Sequence, residues 1–370
     1  MPCTVPVSSV HHMSASRRSV LRWLLGSTLA AGAPSLVLGC RLSNAPAAAS
    51  STPAPSSRDT VHWASDRNNA QAGAYLAAEQ GYFAEQGLAV TYDRLTGPDL
   101  LTALAAGRVD AIGGPLSVGH WNAIARGVPL KIVAPMARQD PGASSTFLMV
   151  RKSLIDRGQF KDFPDLAGKK FAAAGSPNYS IIRTMEHAGL PPDAAEQVDL
   201  GQDFQAMMTG LSTGAIDVAW IAEPTATLCV NAGAAVKWRD AGDVFPGQLN
   251  VVLEFGADLL THRTDVGQRW MTAYLKGVRD YYAAMVKKGS GWADVVSVLT
   301  RWTPVTDASL YPHMGFAYND PNGQLNMDSL ADQLRFAQDQ GQLTGPLDVQ
   351  QTVDTRFTDA AVQTLGRYTA

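Results

Sequence analysis

Short apolar strands alternate with helical segments along this chain, and the whole alternation occurs twice. The first series ends near residue 134, and the second begins with the apolar run at 147–150. The strand patterns lie at 61–64, 88–92, 110–112, 130–134, 147–150, 170–174, 198–200, 215–220, 235–238 and 249–255. An alternation of this kind predicts an α/β protein with mostly parallel sheets and helices on both faces.

An internal repeat favours two similar halves. The segment DLLTALAAGRVDAIGG begins at Asp99, the segment QAMMTGLSTGAIDVAWIA begins at Gln205, and both run from a helix through Gly and Asp into an apolar strand. Two ordinary helix-to-strand corners, each with a Gly C-cap, are the alternative. We expect two similar doubly wound lobes joined by crossing segments, with a ligand cleft between them and a helical C-terminal part. The predicted boundaries are 60–148 and 249–370 for lobe I and 149–248 for lobe II.

The first forty residues have the pattern of an export signal. Three arginines between residues 17 and 22 precede a long apolar run, and the paired arginines favour the twin-arginine route. A general secretory signal and a transmembrane helix are the alternatives. The run ends in a sequence like a bacterial lipobox, so we expect residues 1–40 to be an export signal and Cys40 to be lipidated. Residues 41–59, rich in Ala, Ser and Pro, are expected to form a flexible linker.

The composition argues against several classes of protein. A formal net charge of -3 argues against a nucleic-acid-binding protein, which would present a basic face. Three cysteines are too few for a disulfide scaffold, and only Cys229 would keep a free thiol after export. The sequence contains no Walker loop, HExxH, CxxC or GxGxxG motif, and its seven histidines have no metal-ligand spacing. We therefore predict no catalytic residue, no metal ligand and no cofactor.

Polar loops follow several of the predicted strands, and these loops carry the candidate binding residues. In two-lobed α/β proteins, ligands bind where strand ends and helix N-termini face each other. The predicted ligand-binding residues are Asp66, Arg67, Asn68, Gly114, Ser117, Ser176, Asn178, Tyr179, Trp220 and Glu223. The alternative is that the Ser, Asp and Asn residues of these loops only cap helices.

Three segments resemble one family of binding proteins. Residues 77–90, AAEQGYFAEQGLAV, are similar to the first helix and second strand of the sulfonate-, taurine-, nitrate- and thiamine-pyrimidine-binding proteins. Residues 107–111, GRVDA, and 222–224, AEP, resemble two further steps of the same family. The family is the substrate-binding component of ABC importers and has the type II periplasmic-binding-protein fold. The resemblance implies a monomer that closes on a small solute without altering it.

The same resemblance implies partners and a location. A substrate-binding component delivers its solute to permease and ATPase subunits. A lipid anchor at Cys40 would hold it on the outer face of the cytoplasmic membrane or in the periplasm. No nucleic-acid partner is expected.

The sequence leaves the solute open between two chemistries. A sulfonate or nitrate would need N–H donors, for which the candidates are Arg67, Gly114, Ser117 and residues 176–178. A pyrimidine would need an acceptor at Glu223 and a ring to stack on, for which the candidates are Trp63, Tyr179 and Trp220.

Two functions of other classes also stay open. One is a pyrimidine-precursor enzyme on the same fold, whose fungal members carry a Cys-rich segment and a histidine at the site. This chain has Cys229 alone in that region. The other is a lipid-anchored sensor lobe without a role in transport.

Overall fold

The chain forms two separate five-stranded sheets. The computed structural model describes residues 59–173, 179–201 and 203–369. The strands are β1 (Asp59–Ser65), β2 (Leu88–Arg94), β3 (Ala111–Pro115), β4 (Lys131–Gln139), β5 (Thr146–Arg151), β6 (Lys170–Ala172), β7 (Glu196–Val198), β8 (Val218–Ala222), β9 (Ala235–Asp240) and β10 (Gln248–Phe255). Sheet I has the order β2-β1-β3-β10-β4, and sheet II has the order β7-β6-β8-β5-β9.

Helices connect the strands and cover the sheets. The α-helices are α1 (Ala72–Glu79), α2 (Tyr82–Glu85), α3 (Pro98–Ala105), α4 (Val118–Ala125), α5 (Lys152–Asp156), α6 (Tyr179–His187), α7 (Phe204–Thr213), α8 (Thr225–Asn231), α9 (Ala241–Val244), α10 (Thr264–Tyr281), α11 (Trp292–Trp302), α12 (Met327–Asp339) and α13 (Arg356–Leu365). Shorter 3-10 turns lie at Asn69–Gln71, Phe163–Leu166, Ala308–His313 and Val349–Thr352, and π turns lie at Asp258–His262 and Tyr282–Val286. We call each sheet with its packed helices a lobe.

The two sheets share one topology. In sheet I, β1 is parallel to β2 and β3, whereas β10 is antiparallel to β3 and β4. In sheet II, β6 is parallel to β7 and β8, whereas β5 is antiparallel to β8 and β9. Each sheet therefore has one reversed strand in its fourth position, and the predicted pair of similar α/β lobes with a helical C-terminal part is confirmed.

The reversed strands have a simple physical origin. The chain leaves sheet I at the carboxyl end of β4 and enters sheet II as β5 after six residues. It returns from β9 to sheet I as β10 through a connection of similar length. A connection this short cannot carry the chain around to the far edge of a sheet, so the incoming strand runs backwards. The predicted lobe boundaries at 148 and 248 lie close to these two crossings and stay a prediction.

The predicted helix before Gly87 is divided in the structure. Gly81 has φ +75°, a left-handed backbone conformation that interrupts the helix between α1 and α2. The predicted linker extended to Asp59, whereas in the structure Asp59 is the first residue of β1. The rest of that linker, the export signal and Cys40 lie outside the described residues.

Two glycines allow α1 and α10 to pack in direct backbone contact. A Cβ atom built on Gly277 of α10 would lie 2.0 Å from the carbonyl oxygen of Gly73 in α1. A Cβ atom on Gly73 would lie 2.5 Å from a methyl carbon of Val278. Because α10 also packs on α13 and β2, this helix pair fixes one face of the core of sheet I.

We predict that Gly277→Ala destabilises the protein by about 1–3 kcal/mol, because the new methyl group forces the two helices apart. The matched control is Gly119→Ala in α4, where the nearest atoms would lie 3.4 Å and 3.7 Å from the new Cβ. That control should gain up to about 1 kcal/mol from helix propensity. Urea denaturation of the full chain measures both, and equal stability of the two variants would contradict the packing.

Candidate functional site

Two crossing segments lie side by side between the sheets. They comprise residues 140–145 and 241–247, and Ser144 joins them. The Ser144 hydroxyl accepts a hydrogen bond from the Gly242 N–H at 2.8 Å and donates one to Asp240 at 3.3 Å. Gly242 must lack a side chain, because a Cβ atom there would lie 2.1 Å from a backbone carbon of the facing segment. The carboxyl ends of the parallel strands of both sheets therefore meet at this crossing.

On sheet I, the loop after β1 is organised around the carboxylate of Asp66. The Asn68 Nδ2 group donates to Oδ2 of Asp66 at 2.8 Å, and the Gln71 Nε2 group donates to Oδ1 at 2.9 Å. The same Gln71 amide lies 3.4 Å from the carbonyl oxygen of Gly113 in β3. Asn68 also caps the following turn by accepting from the Ala70 N–H at 2.8 Å. The loops after β1 and β3 are thus joined into one polar edge.

Asp66 carries a charge that its surroundings do not favour. Loss of water around the carboxylate raises its pKa to about 6, and the hydrogen bonds from Asn68 and Gln71 offset only part of that effect. Among the described residues, Asp66 forms no salt bridge, and its side-chain donors are neutral amides. The site therefore contains an acceptor that a donor from a bound molecule would stabilise.

Arg67 does not face the polar edge as an anion ligand. Its Nε group donates to the carbonyl oxygen of Trp302 at 2.6 Å, and its Nη2 group donates to that of Arg301 at 3.2 Å. These carbonyls belong to the last turn of α11, where a cation is favourable. Arg67 has a φ of 62°, which turns the chain toward that helix end. The predicted contact with an anionic solute is replaced here by a structural contact.

The loop after β3 leads into α4 through Ser117. The Ser117 N–H donates to Nδ1 of His120 at 3.1 Å, and the Ser117 hydroxyl lies 3.0 Å from the same nitrogen. Ser117 is exposed, whereas Gly114 is a buried strand residue that pairs with Val252 of β10. A Cβ atom on Gly114 would lie 2.8 Å from Leu100, so this glycine serves packing.

Beside Ser117 lies a buried histidine–glutamate contact that the sequence interpretation missed. Nε2 of His120 is 3.2 Å from Oε2 of Glu254. Burial opposes protonation of the ring, but the charge and hydrogen bond of Glu254 outweigh it, so the pKa of His120 lies above its ordinary value.

On sheet II, Glu223 is fully engaged inside the protein. Its Oε1 accepts hydrogen bonds from Lys237 Nζ at 2.5 Å, from the Thr227 hydroxyl at 3.1 Å and from the Gly315 N–H at 3.1 Å. Its Oε2 accepts from the Thr227 N–H at 3.1 Å. The side chain of Glu223 is 1% exposed. In this conformation the predicted ligand acceptor instead joins sheet II to the C-terminal segment.

The two predicted aromatic contacts also serve the protein's own structure. Trp220 is buried in the core of sheet II, and its Nε1 group donates to the Thr184 hydroxyl at 2.9 Å. The Tyr179 hydroxyl donates to Oδ2 of Asp332 in α12 at 2.6 Å, and Arg183 donates to Oδ1 of the same carboxylate at 2.8 Å. Tyr179 therefore links α6 of one lobe to α12, which packs on β10 of the other.

The other aromatic candidate, Trp63, is also unavailable for stacking on a solute. It is 2% exposed and packs among Tyr75, Tyr92 and Trp270, with ring centroids 5.8 Å, 5.0 Å and 6.4 Å away. Ser176 and Asn178 lie outside the described residues. The structure thus gathers Asp66, Asn68 and Ser117 at the edge of sheet I.

Several residues of the site had no clear signal in the sequence. Gln71 follows the capping residue Asn68 at the spacing of a capping box, which is the one pattern that would have identified it. Glu254 is the lone acid in a mostly apolar strand, which marks it as unusual. Lys237 and Asp332 carry no local signal, because their partners come from distant segments.

The described residues offer little to a thiol enzyme. Cys229 is buried in α8, and burial followed by the nearby charge of Glu223 raises the pKa of its thiol to about 11. No group of three or more His, Cys, Asp or Glu side chains suited to a metal ion occurs in the part of the chain that the structure describes. Across the same ranges, no helix combines the length and the apolar character of a membrane span.

Comparison with known proteins identifies a family and a fold. A family profile described as NMT1/THI5 like matches residues 68–284, more than half of the 370 residues. The search of curated protein sequences gives no match. Among solved structures, the ligand-binding component of an ABC-type import system from Staphylococcus aureus, with zinc bound, is 14% identical with a TM-score of 0.65. That alignment covers 82% of this chain and 99% of the other.

Two further structures are similar at the same level. The periplasmic aliphatic sulphonate binding protein SsuA from Escherichia coli is 15% identical with a TM-score of 0.63, over 80% of this chain and 98% of the other. The periplasmic nitrate-binding protein NrtA from Synechocystis PCC 6803 is 13% identical with a TM-score of 0.64, over 84% and 89%. At these identities the similarity establishes the fold, which is the fold predicted from the sequence.

We predict that Glu223→Ala destabilises the protein by about 3–5 kcal/mol, because it leaves Lys237, Thr227 and the Gly315 N–H without their shared partner. The control is Asp156→Ala, which breaks an exposed pair with Lys152 and should change stability by less than about 0.5 kcal/mol. Guanidinium denaturation measures the free energy of unfolding of both variants and of the wild type. A loss at Glu223 no larger than at Asp156 would contradict the internal role.

The Asp66 carboxylate gives a second prediction, in the dependence of stability on pH. Its pKa is about 6 in the folded chain and close to 3.8 when unfolded, so the folded chain holds more protons between these values. Raising the pH from 4 to 7 should therefore lower the free energy of unfolding of the wild type relative to Asp66→Asn, by up to about 3 kcal/mol. Urea denaturation at several pH values measures the difference. Parallel curves for the two proteins would contradict the unfavourable charge.

Proposed function

We propose the function from one premise: the chain belongs to the NMT1/THI5-like family. On that premise it is an extracytoplasmic solute-binding protein of an ABC importer, which closes two lobes on a small solute and passes it to a permease. The observation that carries the proposal is the meeting of both sets of strand ends at two short crossing segments. This is the place where α/β proteins bind ligands, and a pair of short connections permits hinge closure.

Polar contacts between the lobes support closure as the working motion. The Tyr179 hydroxyl of α6 bonds to Asp332 of α12, and Glu223 of sheet II bonds to the Gly315 N–H. These hydrogen bonds are directional and can break and form again as the lobes move. They fit a protein whose lobes separate and close again as a solute enters and leaves.

The charges at the polar edge support a solute with an amino group. Cations near the strand ends already have partners: Arg67 bonds to the end of α11, Arg138 to Asp140, and Lys237 to Glu223. Asp66 instead has neutral amide donors only. An ammonium group or the amino group of a heteroaromatic ring would donate to this carboxylate and relieve its unfavourable charge. A plain anion such as nitrate would be repelled there.

An acceptor on the solute also has a candidate partner. Gln139 ends β4, beside the first crossing segment, and its side chain is buried. Its Oε1 accepts from the Ser145 N–H at 3.3 Å, while its Nε2 group has no hydrogen-bond partner among the described residues. An unpaired buried donor is unfavourable until a bound acceptor meets it. A taurine-like amino sulfonate or an aminopyrimidine related to thiamine meets both requirements.

The N-terminal pattern supports the location that this function needs. We propose that residues 1–40 direct export, by the twin-arginine route, and that Cys40 is lipidated after cleavage. Lipid chains on Cys40 and the linker that ends before β1 would keep the binding lobes beside the importer. The working unit would be a monomer that meets permease and ATPase subunits.

Matched ligand pairs test the solute class. Taurine is compared with ethanesulfonate, and a 4-aminopyrimidine with the same ring lacking the amino group. The amino member of at least one pair should bind, and at a hundred times its Kd it should stabilise the protein by about 2.7 kcal/mol. Thermal denaturation detects the stabilisation, and calorimetry at pH 8 gives the Kd. Asp66→Asn should weaken binding at least tenfold, whereas Asp156→Asn should leave it unchanged.

Recovery of the ligand completes the test. A solute-binding protein returns the bound molecule unaltered, and mass spectrometry of the released ligand shows whether it does. Conversion of the ligand would support the enzyme alternative instead. Equal binding of both members of each pair would contradict the assignment of Asp66, while leaving the solute-binding function itself standing.

A further inference from the structure

A buried histidine–glutamate pair next to Ser117 is not used by the proposed solute contacts. His120 of α4 is 7% exposed, and Glu254 of β10 is 1% exposed. Glu254 lies between Ile112 and Ile132 of the neighbouring strands, and its Oε1 has no hydrogen-bond partner among the described residues. A pair of this kind adds little stability compared with apolar residues of similar size. Its presence at the edge of the cleft therefore calls for a functional reason.

The hydrogen bonds fix the form of the histidine ring. Nε2 of His120 faces an oxygen of Glu254, so with Glu254 ionised this nitrogen carries a hydrogen in both charge states of the ring. In the neutral ring, Nδ1 is then an acceptor, and it takes the Ser117 N–H at 3.1 Å. The Ser117 hydroxyl, 3.0 Å from Nδ1, can donate to it as well. The neutral ring thus engages Ser117 through the single lone pair of Nδ1, which the N–H occupies and for which the hydroxyl competes.

We infer that His120 is a positioning residue whose protonation sets whether Ser117 offers hydrogen-bond donors to the solute. A proton added at Nδ1 turns that nitrogen into a donor. It then donates to the Ser117 hydroxyl or to the Ser117 carbonyl oxygen, which lies 3.3 Å away. The Ser117 N–H and O–H groups are released and become available to an acceptor group such as a sulfonate. The inference rests on the proposed function in taking Ser117 as a residue of the cleft.

Glu254 is the charged group that acts on this ring. It faces His120 from β10 and stabilises the protonated form. No other ionisable side chain lies on α4, on β3 or on β10. On the neighbouring strand β4, Lys131 bonds to the Gln351 carbonyl, and Arg138 pairs with Asp140. The remaining ionisable groups of α3 and α12 are Asp99, Asp328, Arg335 and Asp339, all exposed, and Asp332, which bonds to Tyr179 and Arg183.

Nuclear magnetic resonance of the full chain tests the inference without any ligand. The ring nitrogens of His120 and the amide of Ser117 are followed from pH 5 to pH 9 in ¹⁵N-labelled protein. The neutral ring should carry its hydrogen on Nε2, and the Ser117 amide should shift with the same midpoint as the ring. Glu254→Gln should move both midpoints to lower pH together. A Ser117 amide that does not follow the ring, or a neutral ring with its hydrogen on Nδ1, would overturn the inference.

Binding measurements test the consequence for the solute. The probe is taurine, and its Kd is measured across the same pH range in the wild type, in His120→Gln and in the exposed control His187→Gln. The ratio of the Kd of His120→Gln to that of the wild type should rise about fivefold to tenfold as His120 becomes protonated. Asp66 titrates in all three proteins and cancels in this ratio. A flat ratio would contradict the role in affinity.

The two experiments separate the two proposals. If taurine fails to bind, the proposed solute is wrong, and the magnetic resonance titration still decides whether His120 controls Ser117. If the titration fails while taurine binds, the solute-binding function stands without this device. His187→Gln should behave as the wild type in both measurements, because His187 is exposed on α6.

Discussion

The architecture depends on a constraint of chain length at the crossing between the sheets. Six residues join β4 to β5, and seven join β9 to β10 through the short helix α9. Connections this short must start and finish at facing edges of the two sheets. One strand of each sheet is therefore reversed, and the strand ends that carry polar loops are brought to one place. Gly242 packs closely against the backbone of the opposite segment and donates a hydrogen bond to Ser144, and these contacts keep the two connections together.

Much of the fold was predictable because its signals are local. Runs of three to seven residues predicted the ten described strands, although the run at 198–200 overlaps β7 only at Val198, and glycines marked the ends of helices such as α3 and α7. The division between α1 and α2 was missed, because the pattern of apolar residues continues through Gly81 and only its positive φ ends the helix. The reversed strands were harder to assign, since the direction of a strand depends on where its connection enters the sheet.

The position of each candidate residue at a strand end was predictable from the sequence, but its partners were not. Asn68 and Ser117 were predicted to bind a ligand because polar loops follow β1 and β3, and in the structure both cap the turn that follows. The partners of Arg67, Glu223 and Trp220 were not predictable, because they lie 235, 92 and 36 residues away along the chain. A polar or aromatic residue at a strand end has the same local sequence whether it binds a solute or a distant part of its own chain. Only the tertiary structure distinguishes the two uses.

Because these side chains already bond within the protein, few groups remain that can select one solute over another. Where a loop group already has a partner inside the protein, a solute gains little by replacing that partner, since one hydrogen bond is exchanged for another. Selectivity then depends on the few groups whose own surroundings leave them unfavourable. Asp66 is such a group because its charge lacks a cation, and Gln139 is another because its amide lacks an acceptor. A solute that supplied both would relieve two unfavourable free-energy terms, and this is why the proposed function favours an amino-bearing molecule over a simple anion of the same size.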